Sequence, residues 1–136
     1  MKIYVAGRFT EKEMAKVREV MRKLREMGHE ITVDWTKHIP IHKDGYSKHL
    51  QLAEQYAIED IKGVIESDVF ILLTTDDIGT GMHVELGAAI ASFKLRRKPT
   101  IYVVGKHIDK CLFYYHPSVK RRNTIEEVLQ EISYTT

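Results

Sequence analysis

Cysteine is almost absent. Cys111 stands alone in 136 residues, so no disulfide forms within the chain, and the sequence suits a reducing compartment. Long apolar runs are missing too: Val69–Leu73 falls far short of the ~20 residues a bilayer-spanning helix needs. Met1 leads straight into a strand-like segment without the apolar stretch of a signal peptide. The expected location is the cytoplasm. Charge of one sign is also lacking. With 21 Lys and Arg against 19 Asp and Glu, the formal charge is +2, too little for the concentrated basic face of a dedicated nucleic-acid binder. Internal repeats, linkers and low-complexity segments are not found. What remains is 43% hydrophobic and 29% charged residues, an ordinary globular mixture. The length suits one domain over residues 1–136, burying roughly two-thirds of its unfolded surface without metal or disulfide staples.

Lys2-Ile3-Tyr4-Val5-Ala6 predicts a strand ended by Gly7. Thr10-Glu11-Lys12-Glu13 has capping-box spacing. Met14, Val17, Val20, Met21, Leu24 and Met27 then form one apolar stripe, with Gly28 placed to stop the helix. Ile31–Trp35 predicts a second strand. The polar stretch Thr36–Tyr46, with Pro40 and Gly45, is a loop long enough to carry function. A second helix is expected over Ser47–Glu66, turning Leu50, Ala53, Tyr56, Ala57, Ile61, Val64 and Ile65 inward. Val69–Thr74 is apolar on both pleat faces, as a central parallel strand is. A third helix is expected over Met82–Lys94 and a fourth strand over Pro99–Val104. A short strand near Leu112–Tyr115 follows. Thr124-Ile125-Glu126-Glu127 repeats the capping-box spacing and opens a last helix to about Ser133.

Strands alternating with helices predict an α/β domain. Its sheet is doubly wound and mostly parallel, of four or five strands with helices on both faces, flavodoxin- or Rossmann-like. Such sheets bind ligands beyond the carboxyl ends of their strands, where the strand order reverses. That rule nominates Gly7–Thr10, Asp34–Thr36 and Thr75–Gly81 as parts of one site.

From Met82 to Phe93 the third helix is apolar or small almost all round, and such a helix is normally buried. Its only acid is Glu85. Positions 85, 88, 89 and 92 share a face and read Glu, Ala, Ala, Ser, leaving room beside the carboxylate. Burying an ionised carboxylate is costly without compensation. The helix N-terminus could supply that compensation, and a poised, ionised, partly desolvated carboxylate is what covalent catalysis uses. An ordinary, partly exposed first-turn acid accounts for the local residues equally well. Gly79-Thr80-Gly81 also reads two ways, as backbone open to a ligand or as a tight connection. It is neither a Walker A loop nor a dinucleotide fingerprint.

Three segments carry a wider pattern: Ile3-Tyr4-Val5-Ala6-Gly7; Asp60-Ile61 shortly before Ser67-Asp68-Val69; and Gly79-Thr80-Gly81-Met82-His83-Val84-Glu85-Leu86-Gly87. In this order they resemble the nucleoside 2-deoxyribosyltransferase family, whose superfamily also holds the deoxynucleoside 5′-monophosphate N-glycosidases. The resemblance covers about residues 1 to 105 and is most specific in the Gly-x-Gly-Met-x-x-Glu-Leu-Gly element. It implies that Glu85 attacks C1′ of a nucleoside, expels the base and forms a glycosyl ester. A second base, or water, then attacks with net retention, the two-step logic of retaining glycosidases.

The resemblance also implies that Tyr4 orients the nucleophile and that Asp60 protonates the departing base. Asp77 (Asp76 with a one-residue shift) would contact the sugar and its 5′-hydroxyl. Each has a plainer alternative: a strand aromatic, a solvated acid beside Lys62, turn carboxylates. Gly7, Gly79, Thr80, Gly81 and Met82 would border the substrate. Trp35 and Phe9 are expected to line the base pocket, with a core role the alternative for Trp35. Arg8 departs from the transferase pattern. It could hold a 5′-phosphate, yet Asp76 and Asp77 would repel one, and the balance favours a free nucleoside.

The family often completes its site from a neighbouring subunit after the fourth strand. Here that segment is Cys111–Pro117, without the usual asparagine, leaving Tyr114 as the substitute and an aromatic cluster suited to a homo-oligomer interface. The expected activity is nucleobase exchange on (deoxy)nucleosides, with small-molecule partners and neither nucleic-acid polymer nor membrane. The alternatives are a 5′-monophosphate N-glycosidase using water and a nucleotide-sensing module without turnover.

Seven histidines raise a metal site. His38 and His42 are four apart, but Pro40 breaks the face that would align them, and nothing completes a zinc pattern. No metal or cofactor is assigned. His83 lies roughly opposite Glu85 on a helix. The basic clusters Lys94, Arg96, Arg97, Lys98 and Lys120, Arg121, Arg122 lack the aromatic interleaving of RNA surfaces.

Overall fold

β1 (Lys2–Ala6) lies between β2 (Glu30–Ile31) and β3 (Val69–Leu73), and β4 (Thr100–Val104) and β5 (Val119–Arg122) extend the sheet. All pairings are parallel, in the order β2-β1-β3-β4-β5. This is a computed structural model, and it describes residues 1–41 and 45–135. Helices α1 (Glu11–Glu26), α2 (Leu50–Glu66) and α3 (Thr80–Arg96) join successive strands, and α4 (Ile125–Thr135) follows β5. The expected doubly wound α/β class is the one found. Right-handed crossovers place α1 on one face and α2 and α3 on the other. Lys23 of α1 accordingly reaches Glu126 of α4 (3.7 Å), while α2 packs on α3.

The apolar stripe of α1 buries Met14, Val17, Val20, Met21 and Leu24 against the sheet, at roughly 1.5–3 kcal/mol for each large side chain. Gly28 follows the helix at φ 91°, the left-handed stop its position predicts. Tyr4 pairs with Phe70 across β1 and β3, and their rings stack with centroids 5.9 Å apart. Pleat alternation then sends Tyr4 towards α2 and α3.

Several local expectations fail for local reasons. β2 stops at Ile31, not Trp35. The Asp34 carboxylate accepts from the Thr36 amide and hydroxyl, at 3.2 and 2.5 Å, and winds Trp35–Lys37 into a 3₁₀ turn. Thr10 is the N-cap of α1 but makes no side-chain cap bond. At α4 the box half-forms: Thr124 Oγ1 accepts from the Glu127 amide (3.4 Å), while the Glu127 carboxylate accepts from the Asn123 amide (3.3 Å). α2 begins only at Leu50, after a 3₁₀ turn at Tyr46–Lys48. Leu112–Tyr115 is also a 3₁₀ turn; the fifth strand is Val119–Arg122, whose basic residues concealed it.

Leu50, Ala57 and Ile65 of α2 face solvent rather than the core. α3 is not covered all round either: Val84 is 64% and Leu95 84% exposed. Among the described residues no helix is long and apolar enough to cross a membrane, and no cluster of His, Cys, Asp and Glu could hold a metal. His42 lies outside the described residues.

Candidate active site

Beyond the carboxyl ends of β1 and β3 opens a cleft of about 640 Å³, at the switch point where the crossovers part. The turn after β1 contributes Gly7, Arg8, Phe9 and Thr10. The segment after β2 adds Trp35, His38 and Ile39, and α2 adds Ala53, Tyr56 and Asp60. Ile78, Gly79, Thr80, Gly81 and Met82 form the opposite lip, and Glu85 projects from α3.

Glycines set the spacing. A Cβ on Gly7 would meet Val17 Cγ2 at 2.6 Å, and one on Gly63 would meet Val33 Cγ2 at 2.5 Å and Tyr4 Cδ2 at 3.3 Å. Their absence lets α1 and α2 close on β1. At Gly81 a Cβ would meet nothing within 4 Å, so glycine there leaves the lip open rather than relieving a clash.

Glu85 is the sixth residue of α3, because the helix begins at Thr80 and not Met82. It therefore lies beyond the first turn, where the helix dipole acts. Burial pushes its carboxyl up to about 8; the Tyr4 hydrogen bond only partly offsets this, and the Asp60 charge adds to the rise. The expected ionised carboxylate is thus mostly protonated near neutrality in the unliganded chain. The Tyr4 hydroxyl donates to Glu85 Oε2 at 2.5 Å. Burial, then the charges of Glu85 and Asp60, raise Tyr4 well above its ordinary range, so it remains a donor.

Asp60 faces the same cleft. Burial first, then the Glu59 charge, pushes it up to about 6. Its Oδ1 is buried without a hydrogen-bond partner. At the rim Arg8 donates to Asp77 Oδ2 (3.2 Å); Asp76 is paired instead with His107 Nε2 (2.7 Å). Trp35 is both at the cleft and packed inside. It lines the cleft, and it is 5% exposed with Nε1 donating to the Val5 carbonyl at 2.7 Å. Phe9 tilts against it, centroids 5.9 Å apart.

With that geometry in place, the comparison with known proteins is decisive on one point. The family model for nucleoside 2-deoxyribosyltransferase matches residues 3–115. The chain belongs to this family. Among solved structures it is similar to the Clostridium botulinum CMP N-glycosidase BcmB. The identity is 17% and the TM-score 0.63, over 98% of this chain and 99% of that one, a likeness of fold. No curated protein matches the chain.

Within this nucleoside deoxyribosyltransferase-family chain, Tyr114 is not among the residues that line the cleft. It is 2% exposed, packed on α3, and its hydroxyl bonds His83 Nε2 (2.8 Å) while His83 Nδ1 bonds the Gly79 carbonyl (2.6 Å). The pair braces the Gly79 lip of the cleft from behind. His38 and Tyr56, conversely, line the cleft unannounced. Helical periodicity makes Tyr56 a core residue, yet Ala53, Tyr56 and Asp60 stand at i, i+3 and i+7, the spacing that puts them on one helical face.

Proposed function

We propose that this chain transfers a (deoxy)ribosyl group between nucleobases by double displacement through Glu85. The observation that carries the reading is the Tyr4–Glu85 hydrogen bond at the wall of a cleft that also receives Asp60. In the first step a Glu85 oxygen bonds C1′ of the bound nucleoside. The C1′–N bond breaks, its electron pair goes to the base, and Asp60 delivers a proton to that base. In the second step a nitrogen of the incoming base attacks C1′, the ester C–O bond breaks, and Asp60 takes the proton back. A cationic transition state at C1′ draws Glu85 towards its ionised form as charge develops.

The Arg8–Asp77 pair supports an unphosphorylated substrate, because the cation at the rim is already matched by a carboxylate. One observation favours a second reading: Arg8 itself lines the cleft, so a 5′-phosphate that displaced Asp77 would find a guanidinium there. On that reading the chain is a 5′-monophosphate N-glycosidase with water as acceptor.

Exposed apolar residues on α3 and the Leu112–Tyr115 turn support a homo-oligomer that completes the site. They are Val84, Leu95, Leu112 (79%) and Phe113 (61%). Mixing the protein with a deoxynucleoside and a different free base is the test. Exchanged nucleoside, lost in Glu85→Ala, with a deoxyribosyl adduct on Glu85 by mass spectrometry, is the expected result. Base release from a 5′-monophosphate without exchange selects the second reading. Binding without turnover or adduct refutes both.

A further inference from the structure

We infer that His38 is a positioning residue for Asp60, supplying its buried carboxyl oxygen with a hydrogen bond during the reaction. The inference rests on the reading of Asp60 as the proton donor to the departing base. Four observations converge on it. His38 lines the cleft beside Asp60. Its Nε2 lies 3.8 Å from Asp60 Oδ1, just outside hydrogen-bond reach. That same Oδ1 is buried and has no partner, an arrangement that costs free energy unless it is relieved. Finally, the imidazole lies flat on the Tyr56 ring of α2, with centroids 3.8 Å apart and planes within 3°, so the ring is held in place against that helix.

The competing acceptor is Glu59, whose Oε2 also lies 3.8 Å from Nε2. Glu59 Oε1 already accepts from Gln55 Nε2 at 2.9 Å, and the Glu59 side chain is 44% exposed against 22% for Asp60. Water can satisfy Glu59, whereas the buried oxygen of Asp60 has no hydrogen-bond partner among the described residues and lies 3.8 Å from the imidazole. The titratable groups around the pair are Glu59 on α2, Asp34 ahead of the Trp35–Lys37 turn, Glu85 on α3 and Tyr4 on β1. Burial holds His38 below its ordinary range, against the pull of Glu59 and Asp34, so near neutrality it is an uncharged imidazole that donates from one nitrogen. A substrate seated in the cleft needs to move the ring by less than 1 Å to close the bond. With Oδ1 occupied, the proton that Asp60 trades with the base resides on Oδ2, the atom left free for it.

The role differs from a merely structural one in what it does to Asp60. A donor on Oδ1 favours the carboxylate, so removing it raises the pH at which Asp60 titrates. His38→Phe keeps the stack on Tyr56 and removes the donor; His38→Gln places an amide N–H near the Nε2 position. Carboxyl-carbon NMR of each variant, with a substrate-shaped nucleoside bound, reads the Asp60 titration directly. The expected result is an upward move of about half a unit or more in His38→Phe, largely reversed in His38→Gln. In parallel, kcat falls about tenfold in His38→Phe with KM little changed. Should His38→Phe fail to fold, His38→Leu carries the same comparison. Coincident Asp60 titrations in wild type and the donor-less variant overturn the inference. A wild type that neither exchanges nor releases bases overturns the proposed reaction instead, and the titration still decides whether His38 governs Asp60.

Discussion

The Tyr4 hydroxyl meets Glu85 Oε2 at 2.5 Å across 81 residues of sequence, joining the third residue of the first strand to the second turn of the helix after β3. The contact exists because Tyr4 pairs with Phe70 and points to the α3 side of the sheet, and because Gly63 lets α2 pass close beside the ring. Tyr4→Phe keeps that packing and removes one hydroxyl. Base exchange is expected to fall about a hundredfold in kcat, the scale of losing a positioned polar group at a reacting centre. Denaturation should show a loss of about 1–3 kcal/mol from the unsatisfied carboxyl. Unchanged kcat would remove Tyr4 from the mechanism.

The pH profile carries an unusual signature. Glu85 sits at about 8 and Asp60 at about 6, the reverse of the order that the proposed roles of nucleophile for Glu85 and acid for Asp60 need. Near pH 7 the working form, Glu85 ionised and Asp60 protonated, is therefore the minor protonation state. The expected kcat/KM profile is a bell with limbs near 6 and 8. Asp60→Asn should remove the limb belonging to the acid. Tyr4→Phe should move the other limb upward, since the Tyr4 hydrogen bond holds Glu85 down. A profile flat from pH 5 to 9 would contradict both assignments.

Stability should register the same buried acid. Its carboxyl rises from 4.5 to about 8 on folding, so between those values the folded chain binds more protons than the unfolded one. Stability therefore falls as pH rises through this window, and the loss is complete above 8. Asp60 works in the same direction between 3.8 and about 6. Glu85→Gln keeps an acceptor for Tyr4 and cannot ionise. Urea denaturation should find it near wild type at pH 5 and more stable at pH 9, by on the order of 3–5 kcal/mol. A difference that stays constant with pH would show Glu85 to be ordinarily solvated.

Much of this arrangement was legible in the sequence. The switch-point rule nominates the Gly7–Thr10 turn, Asp34–Thr36 and the Thr75–Gly81 lip, and Glu85 stands out as the one acid of an apolar helix, whereas Tyr4 is singled out only by the family resemblance. What was hidden depended on contacts between distant segments. Ile31–Trp35 has the composition of a strand, yet one Asp34–Thr36 hydrogen-bond pair curls Trp35 into a turn. β5 was concealed because Lys120, Arg121 and Arg122 lack the apolar pattern of a strand. They sit on an edge strand, where charged side chains stay in water, and Arg121 covers the Tyr115 ring at 3.9 Å. His38 looked like a loop residue, and only the fold of α2 places it against Asp60.

The uncovered face of α3 bears on assembly. Val84 and Leu95 project outward, and burying a leucine contributes roughly 1.5–3 kcal/mol. Leu95→Glu is expected to weaken self-association at least about tenfold by sedimentation, at 1.4 kcal/mol per decade. It should leave the melting of the isolated chain nearly unchanged, because Leu95 is 84% exposed there. A wild type that sediments as a monomer at all concentrations would remove the oligomer from the proposal.

On the proposed reading, Arg8 and Asp77 distinguish a nucleoside from a nucleotide substrate. Their 3.2 Å pair is open to water, with side chains 37% and 81% exposed, so it adds at most about 1 kcal/mol to stability, and breaking it reports on ligands rather than on folding. If the cleft takes free nucleosides, Arg8→Ala should change KM for a deoxynucleoside by no more than about threefold, since no phosphate is there to lose a partner. If it takes 5′-monophosphates, the same change should raise KM about tenfold or more. Asp77→Asn gives the complementary reading. It frees the guanidinium and removes a negative charge from the rim, so relative kcat/KM should shift towards the monophosphate about tenfold, a 1.4 kcal/mol change in charge balance. In a nucleoside transferase the same variant should slow exchange, because the sugar hydroxyl loses its acceptor. Opposite movements of nucleoside and nucleotide turnover in Asp77→Asn would place the 5′ end of the substrate at this pair, whereas parallel movements would place it elsewhere.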